Sequence, residues 1–173
     1  MDEKLLQKYG FTLIDLAYLT DEQRSLLEIE LGKKKPNKRV LALFKRFASV
    51  SKRVEGYTAY LKGYDVDTRA MQWIRDMYSS TPPSSKEYRI IENVILNYTK
   101  VQIWLGNFFS IINSFNHSMN LRHLSSAEKI MKRLERETER GRWVFKSFNS
   151  SLKELRSAIM GERGEEPTLI YFT

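Results

Sequence analysis

The chain has no cysteine, and only four prolines and eight glycines among 173 residues. Without cysteine, disulfides and thiolate metal sites are excluded. The prolines and glycines cluster between apolar-periodic stretches, the pattern of long helices joined by short connections. Catalytic signatures are missing too. There is no glycine-rich phosphate loop, nucleophile elbow or dinucleotide fingerprint. Nor is any Arg followed four to six residues later by His, as in a common helical ribonuclease class.

The two histidines, His117 and His123, have no carboxylate at metal-ligand spacing on the same helical face. Asp67 reads as a helix cap and Asp76 as a surface charge, and with Asp65 they flank a small helix without converging from several elements as a magnesium site would require. The expectation is a protein that is not an enzyme and holds no metal or cofactor. The start MDEKLLQKYG has acids beside its first lysine and no apolar run, so it is not a secretory signal and a cytoplasmic location is expected.

Charge is absent from residues 101–121, VQIWLGNFFSIINSFNHSMNL, a length that suits a membrane span. Its asparagines, serines, Gln102 and His117 would be costly in hydrocarbon, so it reads as a buried central helix, with no membrane partner. Acid is nearly absent from residues 33–62, where Glu55 stands alone against ten cations, while residues 1–32 carry seven acids against three bases. The net charge of +8 and pI near 9.6 point to a polyanionic partner.

What is present is a seven-residue repeat. Val40, Leu43, Phe47, Val50, Val54, Tyr57 and Leu61 alternate spacings of three and four. So do Ile91, Val94, Tyr98, Val101, Leu105, Phe108, Ile112, Phe115 and Met119, and so do Met131, Leu134, Thr138, Gly141, Phe145, Phe148, Leu152, Leu155 and Ile159, with Thr138 and Gly141 the weak members. Such stripes pack at shallow angles, predicting an all-α helical bundle.

Thr20 with Gln23, Ser84 with Glu87, and Ser125 with Glu128 have capping-box spacing, and Gly32 follows a last apolar residue. Residues 12–19 and 20–32 are predicted short helices, and 67–78 another. Arg122–Leu124 should turn a long antiparallel hairpin. The expected organisation is an acidic N-terminal helical appendage over 1–32, a basic helical bundle over 33–163 and an extended tail over 164–173.

The charge follows the repeat. Lys38/Arg39, Lys45/Arg46 and Lys52/Arg53 precede Val40, Phe47 and Val54, so the lysines share one outward line and the arginines the adjoining flank. Seven helical residues rise about 10.5 Å, giving a two-lane track about 20 Å long. On the third stripe's helix, Lys129, Lys132, Arg133, Arg136, Arg140 and Lys146 oppose the apolar face, with Trp143 in line. Cations at regular intervals can follow a phosphate backbone, and an exposed tryptophan can stack on a base. Both helices are candidate nucleic-acid-binding surfaces, with RNA or single-stranded DNA favoured. Against this stands the common charged helix face, which the third helix resembles through Glu135, Glu137, Glu139 and Glu154.

Leu96 and Ile103 lie on the outer face of the central helix, to be covered by another helix or by a neighbouring subunit. Leu169, Tyr171 and Phe172 in the tail are candidates for partner binding. Other protein subunits, copies of this chain among them, are therefore expected partners.

In size, charge and all-helical character the chain is similar to the small subunits of CRISPR effector complexes. That resemblance implies an antiviral-defence subunit lining the path of guide RNA and displaced DNA, and it assigns no residue. A viral nucleocapsid-like protein would share these features. The alternatives are an adaptor or inhibitor whose basic face meets an acidic protein and, third, a helical nuclease.

Overall fold

The computed structural model describes residues 2–62 and 68–163. They form an all-α bundle of seven helices with no strand among the described residues. The helices are α1 (Glu3–Lys8), α2 (Leu13–Ala17), α3 (Asp21–Leu31), α4 (Lys38–Lys62), α5 (Thr68–Ser80), α6 (Lys86–Asn120) and α7 (Leu124–Arg163). The chain divides into two compact units, Met1–Glu55 with Gly106–Glu139 and Gly56–Leu105 with Arg140–Thr173, so α4, α6 and α7 each contribute residues to both.

In the first unit the three short helices are set by local chemistry. Asp2 accepts from the Lys4 N–H, and Thr12/Asp15 and Thr20/Gln23 form reciprocal capping boxes. α1 was not foreseen, although Asp2 at its N-cap is a start signal of the usual kind. Leu6, Phe11, Leu19, Leu27 and Leu31 from this region are buried. Gln23 also reaches Asn116 of α6, donating from Nε2 at 2.7 Å. These helices therefore belong to the core of the first unit, where Gln23 ties them to α6.

That core asks more of α4 than one stripe. Val40, Leu43, Phe47 and Val50 are buried as predicted, but so are Leu41, Phe44 and Ala48, so about half the helix circumference faces protein. Phe47 stacks on Phe115 of α6 with ring centroids 5.5 Å apart. Each buried phenylalanine contributes about 1.5–3 kcal/mol.

The α6–α7 turn is a Schellman motif. Arg122 takes φ +56°, its N–H donates to Met119 O, and the His123 N–H donates to Ser118 O. A left-handed arginine is costly, and its side chain supplies compensation: Nη2 donates to Glu30 Oε2 at 2.9 Å. Glu30, 3% exposed, also accepts from Lys33 Nζ at 2.7 Å and from the Asn37 N–H at 2.8 Å. One carboxylate thus ties the end of α3, the approach to α4 and the hairpin turn. Burial pushes its pKa up, but the donors from Lys33, Asn37 and Arg122 outweigh burial and hold it below the ordinary value.

The two weak stripe positions, Gly141 in the second unit and Thr138 in the first, have different outcomes. Gly141 lies against the Trp104 indole, where a Cβ would fall within 2.9 Å of three ring atoms. Trp104 is buried, at 2% exposure, and meets Phe145 edge-on at 5.4 Å. Tyr98 packs on Phe148, with centroids 5.6 Å apart. Thr138, in the first unit, is buried with its hydroxyl donating to Leu134 O at 2.8 Å, so its polar atom is satisfied within the helix.

Several expectations are corrected. α6 is capped by Ser85, whose Oγ accepts from the Tyr88 N–H, and not by Ser84. Ser125 and Glu128 lie inside α7, as its second and fifth residues, where both bind Arg39. Residues 101–121 are not buried throughout: Val101, Trp104, Phe108, Ile111, Phe115, Ser118 and Met119 face the core, while Gln102, Asn107, Ser110, Asn113 and His117 are exposed. Amides and hydroxyls hydrate well enough to line a water-facing surface without charge. No described helix is long and apolar enough to cross a membrane. Asp65, Asp67, Leu169, Tyr171 and Phe172 lie outside the described residues.

Two measurements check these contacts. Gly141→Ala should lower stability by about 1–3 kcal/mol in urea melts through overpacking against Trp104, whereas Gly56→Ala, with nothing within 4 Å of the added Cβ, should be neutral or stabilising. Glu30→Gln should cost about 2 kcal/mol at pH 7. Because the folded pKa of Glu30 is depressed, its contribution is complete above the unfolded value of about 4.3 and is lost as pH falls through the folded value. The gap between wild type and Glu30→Gln should therefore close in acid, and a gap independent of pH would refute the assignment.

Candidate functional site

On the first unit, Arg39 and Arg46 of α4 each grip a glutamate of α7. Arg39 donates from Nε and Nη2 to the two carboxylate oxygens of Glu128 at 2.8 and 2.9 Å, with Ser125 Oγ at 3.3 Å. Arg46 does the same to Glu135 at 2.8 and 2.7 Å. The partners advance by one heptad on both helices and in the same direction, so α4 and α7 run side by side and parallel here. The planar guanidinium fork suits this two-point pairing, which an ammonium cannot reproduce.

The pairs shape the local titration. Glu128 is held below the usual carboxylate range by the Arg39 hydrogen bonds, with the Arg39, Arg46 and Lys132 charges adding to them. Glu135 is held down by Arg46, and the Arg53 and Lys132 charges add to it. Arg39 and Arg46 are raised in turn by hydrogen bonds to Glu128 and Glu135. Both acids therefore stay ionised well below neutral pH.

Lys45 extends over the Phe11 ring, with Nζ 5.1 Å from the centroid, and crowds Gly10, which occupies φ +74°. Lys38, Lys45, Lys52 and Arg53 are all exposed. Exposed Ala42 and Ser49 sit between the lysine and arginine lanes, leaving a shallow strip of small side chains. The sole acid of the basic region, Glu55, accepts from the Tyr18 hydroxyl, which raises the Tyr18 pKa. On α7, Lys129, Lys132, Arg133 and Arg136 are all exposed.

The second unit holds the other candidates. Arg140 and Lys146 are exposed, and Trp143 is 58% exposed with Lys146 Nζ 5.2 Å from its ring centroid. Leu96 and Ile103, one heptad apart on α6, are 54% and 58% exposed, so no helix of the described chain covers them. Arg142, which sequence reasoning passed over, also lies against Trp143, at 5.9 Å.

Glu128 and Glu135 were missed as partners of the arginines. Their signal was available, because their separation equals that of Arg39 and Arg46, but matching spacings identify a partner only once two helices are known to be adjacent.

Among the described residues, nothing else assembles into a reactive centre. His117 and His123 are exposed, Asp76 accepts from Gln72 Nε2 at 2.9 Å, and no group of three or more His, Asp or Glu side chains among the described residues is placed to hold a metal. A cavity of about 510 Å³ in the second unit is lined mainly by apolar residues, among them Trp73, Met77, Ile90, Ile91, Leu155 and Ile159. Near it, Tyr78 hydrogen-bonds Tyr88, which pushes the Tyr78 pKa up to about 12. No family model, curated protein or solved structure matches the chain.

The paired rungs can be checked by a double-mutant cycle. Arg46→Met and Glu135→Gln, singly and together, should report a coupling of about 0.5–1 kcal/mol at low salt, since both groups are a little over one-third exposed. The coupling should shrink in 1 M NaCl, and additivity at low salt would show that the rung contributes nothing.

Proposed function

We propose that the surface of the first unit built by α4 and α7 binds a nucleic-acid backbone, as a non-enzymatic subunit of a larger nucleoprotein assembly. The observation that carries this reading is the pair of arginine–glutamate rungs. They neutralise Glu128 and Glu135, two acids that would repel phosphate, and keep the two helices in register. Lys38, Lys52 and Arg53 on one side and Lys129, Lys132, Arg133 and Arg136 on the other remain exposed.

The heptad rise of about 10.5 Å is close to three backbone steps of about 3.4 Å along one strand. Because a stacked strand also winds about its axis, a cation line at that pitch meets phosphates a few nucleotides apart. The contacts are to backbone, so affinity depends on charge and shape more than on base sequence. The general likeness to small subunits of CRISPR effector complexes agrees with this reading and adds no residue to it.

A protein partner is the second reading, favoured by the exposed Leu96 and Ile103 on the second unit. Apolar side chains one heptad apart on an open helix face suit a helix of another subunit. An acidic protein could also occupy the α4–α7 surface in place of nucleic acid.

Fluorescence anisotropy with labelled single-stranded RNA and DNA at rising salt tests the leading reading. If about five phosphates are engaged, the slope of log K against log salt should be about −3.5, a loss of roughly 100-fold between 50 and 200 mM. Changing Lys38, Lys52, Arg53, Lys132 and Arg136 to Gln should abolish most of the binding and flatten the slope. No binding at low salt sinks the proposal, and undiminished binding by the variant moves it away from this surface.

A further inference from the structure

The three tryptophans have unlike environments. Trp104 is buried, Trp73 is at the margin of exposure and lines the apolar cavity, and Trp143 stands on the open face of α7 at 58% exposure. A large aromatic ring left in water contributes little to folding, and Trp143 is not on the packing stripe that holds Gly141, Phe145 and Phe148.

Its neighbours are cations. Helical side chains lean toward the N-terminus, so Lys146, one turn on, reaches back over the indole with Nζ 5.2 Å from the ring centroid. Arg142 brings its guanidinium carbon to 5.9 Å. On the C-terminal side, the residues one and two turns on are Ser147 and Ser150, both exposed and small. A flat ligand approaching from that side passes two small side chains and the flexible chain of Lys146.

We infer that Trp143 is a stacking platform for an unpaired nucleobase, with Lys146 and Arg142 holding the flanking phosphates, and that it makes the protein prefer single strands over duplex. The inference rests on the nucleic-acid reading above and adds a selectivity that backbone cations cannot supply. In a duplex both faces of each internal base are covered by its neighbours. Only an unstacked base can offer a face to an exposed indole. A basic ligand is disfavoured because the ring already has two cations beside it, and an anionic ligand with an aromatic plane satisfies ring and cations together.

The test uses the full chain with a labelled 20-nucleotide oligothymidine and a duplex of equal length, both at low salt. Wild type should bind the single strand at least tenfold more tightly, and Trp143→Ala should remove about tenfold of single-strand affinity, the lower end of what one stacked base contributes. Duplex affinity and the salt slope should not change, and Trp143→Phe should restore most of the loss. Intrinsic tryptophan emission should be quenched by the oligonucleotide in wild type and much less in Trp143→Phe.

Equal loss on both probes, or no loss on either, overturns the stacking role while leaving backbone binding in place. No binding of either probe overturns both. An unchanged thermal melt of Trp143→Ala confirms that the effect is not one of folding.

Discussion

A shared seven-residue register between α4 and α7 is the constraint on which the first unit depends. It places Arg39 and Arg46 opposite Glu128 and Glu135 at matched heights, while the apolar stripe of α4 buries Phe47 against Phe115 of α6. A slip of one residue along either helix would break both rungs and rotate the stripe out of the core. Charge and packing therefore specify the same arrangement, and each penalises the alternatives left by the other.

The paired cations of α4 divide the work according to their chemistry. Arginine occupies the lane beside α7, where a planar fork can hold two carboxylate oxygens. Lysine occupies the lane farther away, where Lys45 lies beside Phe11 and, like Lys38 and Lys52, reaches water. Buried Glu30 serves as a second organiser, gathering Lys33, Asn37 and Arg122 at the points where the chain changes direction. The second unit relies more on shape. Gly141 admits the Trp104 ring against the α7 backbone, and aromatic contacts of Phe145 and Phe148 extend from there.

Most of the architecture was legible in residue spacing. The stripes from Val40, Ile91 and Met131 led to the three long helices, and Thr20 with Gly32 bounded α3, because periodicity and capping are local properties of a helix. The candidate surface was legible only as a list of cations. That Arg39 and Arg46 are paired while Lys52 and Lys132 face water depends on which helix lies alongside, and residues ninety positions apart carry no mark of adjacency. Ser125 and Glu128 show the hazard directly: a cap-like spacing was read locally, but the pair is used across helices.

By itself the sequence determined the helices, their apolar faces and the regular pitch of positive charge, since each follows from side chains a few residues apart on a fixed screw. Only the tertiary structure decided which cations pair, that the weak stripe position Gly141 receives Trp104, and that Trp143 and the Leu96–Ile103 face stay in water. The physical reason is that ion pairing and burial depend on distances between separate helices, which helical periodicity leaves open.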